Sequence, residues 1–100
     1  MPKGYWIANV EVRDADNYKA YAAMLQDIFR KHGGRYVTRG GKMEAVEGKS
    51  RSRIVVIEFP SYDAAMTCYR SPEYAKAITL RQTAADADLV VIEGYDGPQP

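Results

Sequence analysis

The stretch Tyr5–Val12 (YWIANVEV) alternates between two unlike sets of side chains, and this alternation decides the fold. One set is wholly apolar and the other is mixed: Trp6, Ala8, Val10 and Val12 against Tyr5, Ile7, Asn9 and Glu11. A period of two predicts a β-strand, because successive side chains of a strand point to opposite faces of the sheet. The sequence therefore predicts a first strand with two unequal faces, and places Trp6 in the core.

Two helical regions follow the pattern expected of amphipathic helices. The first begins at the N-cap candidates Asp14 and Asp16 and ends at Lys31-His32-Gly33-Gly34, where basic residues and glycine are typical of a helix C-terminus. The second begins after Pro60-Ser61 and continues to Ala84-Ala85. We expect a break near Ser71-Pro72, since serine suits an N-cap and proline the first helical position.

Three further strands are predicted. They are Arg35–Arg39, with Gly40-Gly41 as a bulge or bend and a continuation over Met43–Val46; Arg53–Phe59; and Leu89–Glu93. Residues 95–100 are rich in turn-forming residues and are interpreted as a tail. At 100 residues the chain has room for one domain, 1–100.

The order strand, helix, strand, strand, helix, strand predicts an α+β fold, the ferredoxin-like βαββαβ sandwich, with an antiparallel sheet covered by helices on one face. Right-handed crossovers would put the first and third strands side by side at the centre. We further expect these two strands to run parallel.

The sheet face without helices is predicted to be apolar. Its expected members are Ile7, Ile54, Val56, Leu89 and Val91. In so short a domain, such a face is more naturally covered by a second copy than left in water, so the sequence predicts a homodimer packed sheet to sheet.

Composition excludes several classes of partner. With 14 Lys and Arg against 13 Asp and Glu, the net charge of +1 gives no support for nucleic-acid or membrane binding. The longest aliphatic runs, 54–57 and 89–92, are far shorter than the roughly 20 residues of a membrane span. Cys68 is the one cysteine, so no internal disulfide can form, and a cytoplasmic location is expected.

Six short segments together resemble one known family. They are Gly4-Tyr5-Trp6-Ile7, Arg39-Gly40-Gly41, Glu47-Gly48, Glu58-Phe59-Pro60-Ser61, Ser71-Pro72-Glu73-Tyr74 and Glu93-Gly94. Over nearly the whole chain this spacing resembles the small bacterial family catalogued as domain of unknown function 1330, among the dimeric α/β-barrels of ferredoxin-like fold. The resemblance implies the fold and the dimer, but no established reaction. Relatives in the wider superfamily include cofactor-free monooxygenases, lactone isomerases and haem-degrading enzymes, and the lack of a histidine on a strand speaks against haem and histidine chemistry here.

Carboxylates lie at three strand ends, Glu11, Glu58 and Glu93, all expected on the open face. If the first and third strands are parallel, Glu11 and Glu58 are neighbours, and paired carboxylates raise the pKa of one of them toward the range of a general acid or base. Folding the hairpin about Lys49-Ser50 brings Arg39 near Glu58. The pair Glu58 and Arg39 is thus a catalytic candidate, with a structural ion pair as the alternative. The Arg39-Gly40-Gly41 segment could instead bind an anion or simply form a bulge.

Tyr74 and Arg81 are candidates for substrate binding, together with Glu11. They lie seven residues apart on one helix side and could overhang the mouth of a pocket, although capping and packing explain them equally. Eight tyrosines against two phenylalanines suit either a pocket for carbonyl or aromatic ligands or a dimer interface.

Neither a metal nor a cofactor is predicted. One histidine and one cysteine cannot build a zinc site, and the acids form no dense cluster. His32 suits a helix C-terminus, and Cys68 has no histidine near it in sequence, so both are interpreted as structural. No phosphate-binding loop is present.

Two functions remain open from the sequence. The first is a homodimer that binds or transforms a small carboxylate or carbonyl compound without a cofactor, in a pocket between helices and sheet at the Glu58 and Arg39 end. The second is a non-catalytic dimeric module for structure or protein contact, in which the charged strand ends form ion pairs. Whether the protein is an enzyme is left undecided.

Overall fold

The computed structural model describes all 100 residues and has the predicted order of elements. The strands are β1 (Gly4–Val12), β2 (Arg35–Arg39), β3 (Arg53–Phe59) and β4 (Ala85–Glu93), and the helices are α1 (Ala15–His32), α2 (Tyr62–Tyr69) and α3 (Pro72–Ala84). The four strands form one antiparallel sheet in the order β2-β3-β1-β4. The predicted ferredoxin-like βαββαβ sandwich is confirmed. No helix combines the length and the apolar character needed to cross a membrane.

The helix ends follow the local signals in the sequence. The side chains of Asp14, Ser61 and Ser71 accept hydrogen bonds from backbone N–H groups three residues ahead, capping α1, α2 and α3. Gly33 ends α1 with a left-handed φ of 76°, which glycine adopts at little cost. Ser71 separates α2 from α3, as predicted, and Lys31 at the end of α1 pairs with Glu73 at the start of α3 at 2.8 Å.

The core lies between the sheet and the helices. Trp6 is 1% exposed and donates from Nε1 to the carbonyl of Ala65 at 2.8 Å. Around it pack four other rings at centroid distances of 4.9 to 5.8 Å: Phe29, Phe59, Tyr69 and Tyr74. Burial of these rings and of the aliphatic side chains beneath α1 holds the two layers together.

Two expectations about the strands are wrong. β1 and β3 are adjacent, as predicted, but antiparallel, because β3 turns back from β2 in a hairpin while the α1 crossover keeps β1 parallel to β2. Residues 43–46 form no strand; β2 ends at Arg39, Gly40 takes a φ of 67°, and the chain crosses to β3 as a loop. The bend predicted at the glycines occurs at Gly40, and the register of β2 also shifts between Tyr36 and Thr38.

The phase of β4 also differs from expectation. β4 begins at Ala85, and its pairs Trp6–Val91 and Ala8–Leu89 put Val91 and Leu89 on the helix-covered face. Val90 and Ile92 therefore lie on the open face, 56% and 49% exposed, beside Ile7. In residues 89–92 of β4 both alternating sets of side chains are aliphatic, so the sequence alone does not show which set faces the helices. β4 is an edge strand, with β1 as its one neighbour.

Candidate functional site

The predicted carboxylate pair is not formed. Because β1 and β3 are antiparallel, Glu58 lies opposite Tyr5 at one end of the sheet, whereas Glu11 lies at the other end and accepts hydrogen bonds from the backbone and side chain of Ser52. Glu93 lies opposite Gly4, at the same end of the sheet as Glu58. Its position in β4 is in phase with the side chains that face the helices and not with the open face. The expectation that Glu11 and Glu58 are neighbours is wrong.

Glu58 does form an ion pair, but with Arg35. The register places Arg35 opposite Glu58, and the Arg35 Nε to Glu58 Oε1 distance is 3.0 Å. The hydroxyl of Tyr5 donates to Oε2, also at 3.0 Å. These bonds, first from Arg35 and then from Tyr5, hold the pKa of Glu58 below its ordinary value. With both oxygens bonded and the pKa lowered, Glu58 is arranged as a structural carboxylate.

Arg39 is distant in register from Glu58, so the predicted pair of these two residues is wrong. Arg39 lies opposite Val55, on the helix side of the sheet, and its guanidinium lies over the ring of Tyr36 at 4.6 Å from the centroid. The centre of the loop between β2 and β3 comes earlier in the sequence than the predicted turn at Lys49-Ser50. Each residue of β2 therefore pairs with a residue of β3 that is closer to it in sequence than predicted.

Tyr74 is part of the core and not of a pocket mouth. It is 1% exposed, and its hydroxyl lies 2.9 Å from the hydroxyl of Tyr21 on α1. Burial raises the pKa of both phenols, so both hydroxyls stay protonated at neutral pH. The pair joins α1 to α3.

Arg81 lines a cavity between the helices and the sheet. The cavity has a volume of about 30 Å³, and its walls are eleven hydrophobic residues and Arg81. Tyr18 and Tyr21 of α1 form one wall, and Val10, Ala87 and Leu89 belong to the floor. We call this space the cleft. It has room for about one or two water molecules, so a larger group enters only if Tyr18 or a helix shifts.

The Nε atom of Arg81 is buried and has no hydrogen-bond partner. No carboxylate lies within salt-bridge distance of this guanidinium. A guanidinium N–H that lacks an acceptor in an apolar setting is costly, which makes this atom a point of attraction for a ligand oxygen. Of the five residues predicted for the site, Arg81 is the one that borders the cleft.

The remaining candidates lie outside the cleft. Burial raises the pKa of the Cys68 thiol to about 12, so it stays unreactive at neutral pH. His32 lies at the end of α1, with Nε2 3.5 Å from Glu73 Oε2. No three His, Cys, Asp or Glu side chains are grouped so as to hold a metal ion.

Sequence reasoning missed Tyr18 and Tyr21 as residues that line the cleft. In the sequence, the helical spacing of Tyr18 and Tyr21 indicates only that both belong to the apolar face of α1. Arg53 is in phase with Val55 and Ile57, the buried set of β3, and its guanidinium lies over the ring of Tyr18.

This fold defines the chain as a ferredoxin-like α+β protein. Comparison of its sequence with known families is more specific: residues 3–95 match the family described as domain of unknown function (DUF1330), and the chain belongs to that family. No curated protein matches the chain.

Solved structures share the fold at low sequence identity. A protein of unknown function from Rhodopseudomonas palustris is 23% identical, with a TM-score of 0.77 over 96% of this chain and 85% of that one. SnoaB, a cofactor-independent oxygenase from Streptomyces nogalater, is 13% identical, with a TM-score of 0.66 over 97% of each chain. A dimeric ferredoxin-like protein of unknown function from Thermobifida fusca is 15% identical, with a TM-score of 0.63 over 92% of this chain and 91% of that one. These similarities establish the fold.

Proposed function

We propose that the cleft binds a small carboxylate or carbonyl compound, without a cofactor, through Arg81. The observation that carries the proposal is the buried Nε of Arg81, which lacks a partner at the edge of an otherwise apolar cavity. A carboxylate or carbonyl oxygen would accept from this guanidinium, while the apolar part of the ligand would contact the walls. The structurally similar SnoaB is described as a cofactor-independent oxygenase, and this supports a function without a cofactor by analogy of fold alone.

The proposal keeps two of the sequence-predicted residues. Arg81 contacts the ligand, and Tyr74 positions Tyr21, a wall of the cleft, through their hydroxyl pair. Glu58, Arg39 and Glu11 lie outside the cleft and have no role in it.

We also propose that the protein is a homodimer that packs through its open sheet face. Ile7, Val90 and Ile92 expose large aliphatic side chains there, and the similar Thermobifida fusca protein is described as dimeric. The loop before β3 lies across the other end of this face. There the side-chain amide of Asn9 donates a hydrogen bond to Ser50 Oγ and accepts one from the backbone N–H of Arg51. The same apolar face favours the alternative of a non-catalytic dimeric module, in which the cleft stays empty.

Calorimetric titration with acetate, propionate, butyrate and pentanoate, each beside its primary amide, tests the cleft. We expect affinity to rise with chain length, and Arg81→Gln to weaken carboxylate binding about tenfold or more, since a hydrogen bond to a charged group contributes about 1.5 to 3 kcal/mol. The matched control is Arg70→Gln, which removes an exposed guanidinium that forms no ion pair at the α2–α3 turn. Equal binding by Arg81→Gln and the wild type, or no binding by any probe, would overturn the proposal in favour of the module.

A further inference from the structure

The cleft meets solvent at a small part of its lining. Twelve residues line it, and all but four of them are buried. The four that are partly exposed are Tyr18 of α1, Arg81 of α3, and Ala87 and Leu89 of β4. The mouth of the cleft therefore lies among these four residues.

Of these four, Tyr18 is the side chain that is free to open the mouth. Ala87 and Leu89 belong to β4, whose backbone is paired with β1 along its whole length, and Arg81 is the proposed anchor of the ligand. The Tyr18 hydroxyl forms no hydrogen bond within the chain, unlike the hydroxyl of Tyr21. The Tyr18 ring can therefore change rotamer without breaking a hydrogen bond.

Arg53 contacts the Tyr18 ring from outside the cleft. It is not among the lining residues, and its Cζ lies over the Tyr18 ring, 5.6 Å from the centroid. The Arg53 side chain forms no salt bridge, and its Nε is buried without a hydrogen bond. The ring is therefore the group that attracts this charge. Because a guanidinium is attracted to an aromatic face, Arg53 opposes rotation of the ring.

We infer that Tyr18 is the gate of the cleft and that Arg53 keeps this gate closed. The inference rests on the proposed function and deepens it, because it states how a ligand larger than water enters. With the ring in place, the cleft of about 30 Å³ is too small for a carboxylate ligand. When the ring rotates outward, its place in the wall becomes space for the ligand. Since only the open form binds, the apparent Kd depends on the fraction of molecules that are open.

Trp6 reports on the gate, because it is the one tryptophan of the chain and lines the cleft at 1% exposure. Quenching of its fluorescence by acrylamide measures how readily a small molecule reaches the cleft. Arg53→Gln leaves the Tyr18 ring in place and removes the guanidinium from it. We expect this change to raise the quenching rate constant about two- to fivefold, as loss of a cation–π contact predicts. Tyr18→Ala, which removes the ring, should give the highest value.

Two further variants are controls. Arg39→Gln removes a guanidinium from the ring of Tyr36, which does not line the cleft, so it should leave the quenching rate constant unchanged. Tyr18→Phe keeps the ring and should stay close to the wild type. If Arg53→Gln fails to fold, Arg53→Met, which keeps the aliphatic part of the side chain, takes its place.

Calorimetric titration with pentanoate gives a second measurement, in which a gate and a ligand contact have opposite signs. Arg53→Gln enlarges the open fraction, so we expect it to lower the apparent Kd about two- to fivefold, whereas Arg81→Gln should raise it. Arg39→Gln loses the same charge as Arg53→Gln and should leave the Kd unchanged. Weaker binding of pentanoate by Arg53→Gln would overturn the gate.

The quenching series also contains results that would overturn the inference. One is an equal rate constant in the wild type, Arg53→Gln and Tyr18→Ala. Another is an increase in Tyr18→Ala without one in Arg53→Gln, which would make Tyr18 a fixed wall. Acrylamide needs no carboxylate site, so the quenching decides on the gate even where no carboxylate binds. Absence of carboxylate binding beside the expected quenching would overturn the proposed function alone.

Discussion

Gly40 is a position where both the backbone conformation and a neighbouring side chain favour glycine. Its φ of 67° disfavours any other residue, and a Cβ would overlap the Arg53 guanidinium. The overlap is with the far end of a flexible side chain, which can move aside, so we expect Gly40→Ala to lower the free energy of unfolding by about 1 kcal/mol, the cost of the left-handed backbone. Urea unfolding measures it.

Two other glycines separate these causes. Gly48 has a φ of 72° and open space around it, so Gly48→Ala should carry the backbone cost alone. Gly41 has open space and no left-handed φ, so Gly41→Ala should stay within about 0.5 kcal/mol of the wild type. If Gly40→Ala costs clearly more than Gly48→Ala, the Arg53 guanidinium does not move aside.

The Glu58 carboxylate provides a pH-dependent test. Its pKa is lowered by Arg35 and Tyr5, so its contribution to stability is present above the ordinary value of 4.5 and is lost as pH falls through the lower folded value. We expect Glu58→Gln to reduce the urea midpoint at pH 7, and the difference from the wild type to shrink below pH 4.5 and to vanish once the pH is below the folded pKa of Glu58. Glu47→Gln, which removes an exposed loop carboxylate, should show neither effect. A Glu58→Gln difference that persists at the lowest pH would contradict the ion pair.

Between elements, the hydroxyl pair of Tyr21 and Tyr74 connects α1 to α3. Replacing one tyrosine with phenylalanine leaves the other hydroxyl buried without its partner, at a cost of about 1 to 3 kcal/mol. Replacing both should cost less than the sum of the two single changes, because no unpaired hydroxyl remains. Urea unfolding of the two single variants and the double variant measures this coupling, with Tyr62→Phe on the exposed side of α2 as control. Additive losses would show that the two hydroxyls do not interact.

Helix boundaries were predictable because their signals are local. Asp14, Ser61, Ser71 and Gly33 satisfy backbone groups within three or four residues of themselves, and the sequence shows them directly. Strand boundaries depend on pairing with distant residues. Residues 43–46 have no partner strand, and β4 extends back to Ala85 because β1 continues to Val12 beside it.

At the level of the whole molecule, the open sheet face is where we propose that two copies of the chain pack together. Ile92→Lys places a charge among Ile7 and Val90, and we expect it to shift the protein from dimer to monomer in sedimentation velocity. Met24→Lys is the matched control, since Met24 has similar exposure on α1, in the helix layer. A wild type that sediments as a monomer at all concentrations, or a dimer unaffected by Ile92→Lys, would contradict sheet-to-sheet packing.

The candidate site was less predictable than the fold, because it depends on strand direction and register. A reversal of β3 relative to β1 separates Glu11 from Glu58 by the length of the sheet. A displaced hairpin loop replaces Arg39 with Arg35 as the partner of Glu58. Arg81 was identifiable as a charged residue on the helix, but its lack of a partner is a property of the packed structure alone.

The position of β4 at the edge of the sheet also bears on the colloidal behaviour of the chain. Along one side of this nine-residue strand the backbone has no neighbour, and four aliphatic residues, 89–92, lie between Asp88 and Glu93. An unpaired strand edge can form hydrogen bonds with a strand of another chain and so start cross-β aggregation. Acidic residues on either side of the aliphatic run oppose this pairing, because they repel the same residues of the second chain. Removal of these two carboxylates by Asp88→Asn and Glu93→Gln should therefore increase aggregation, even where the domain is still folded.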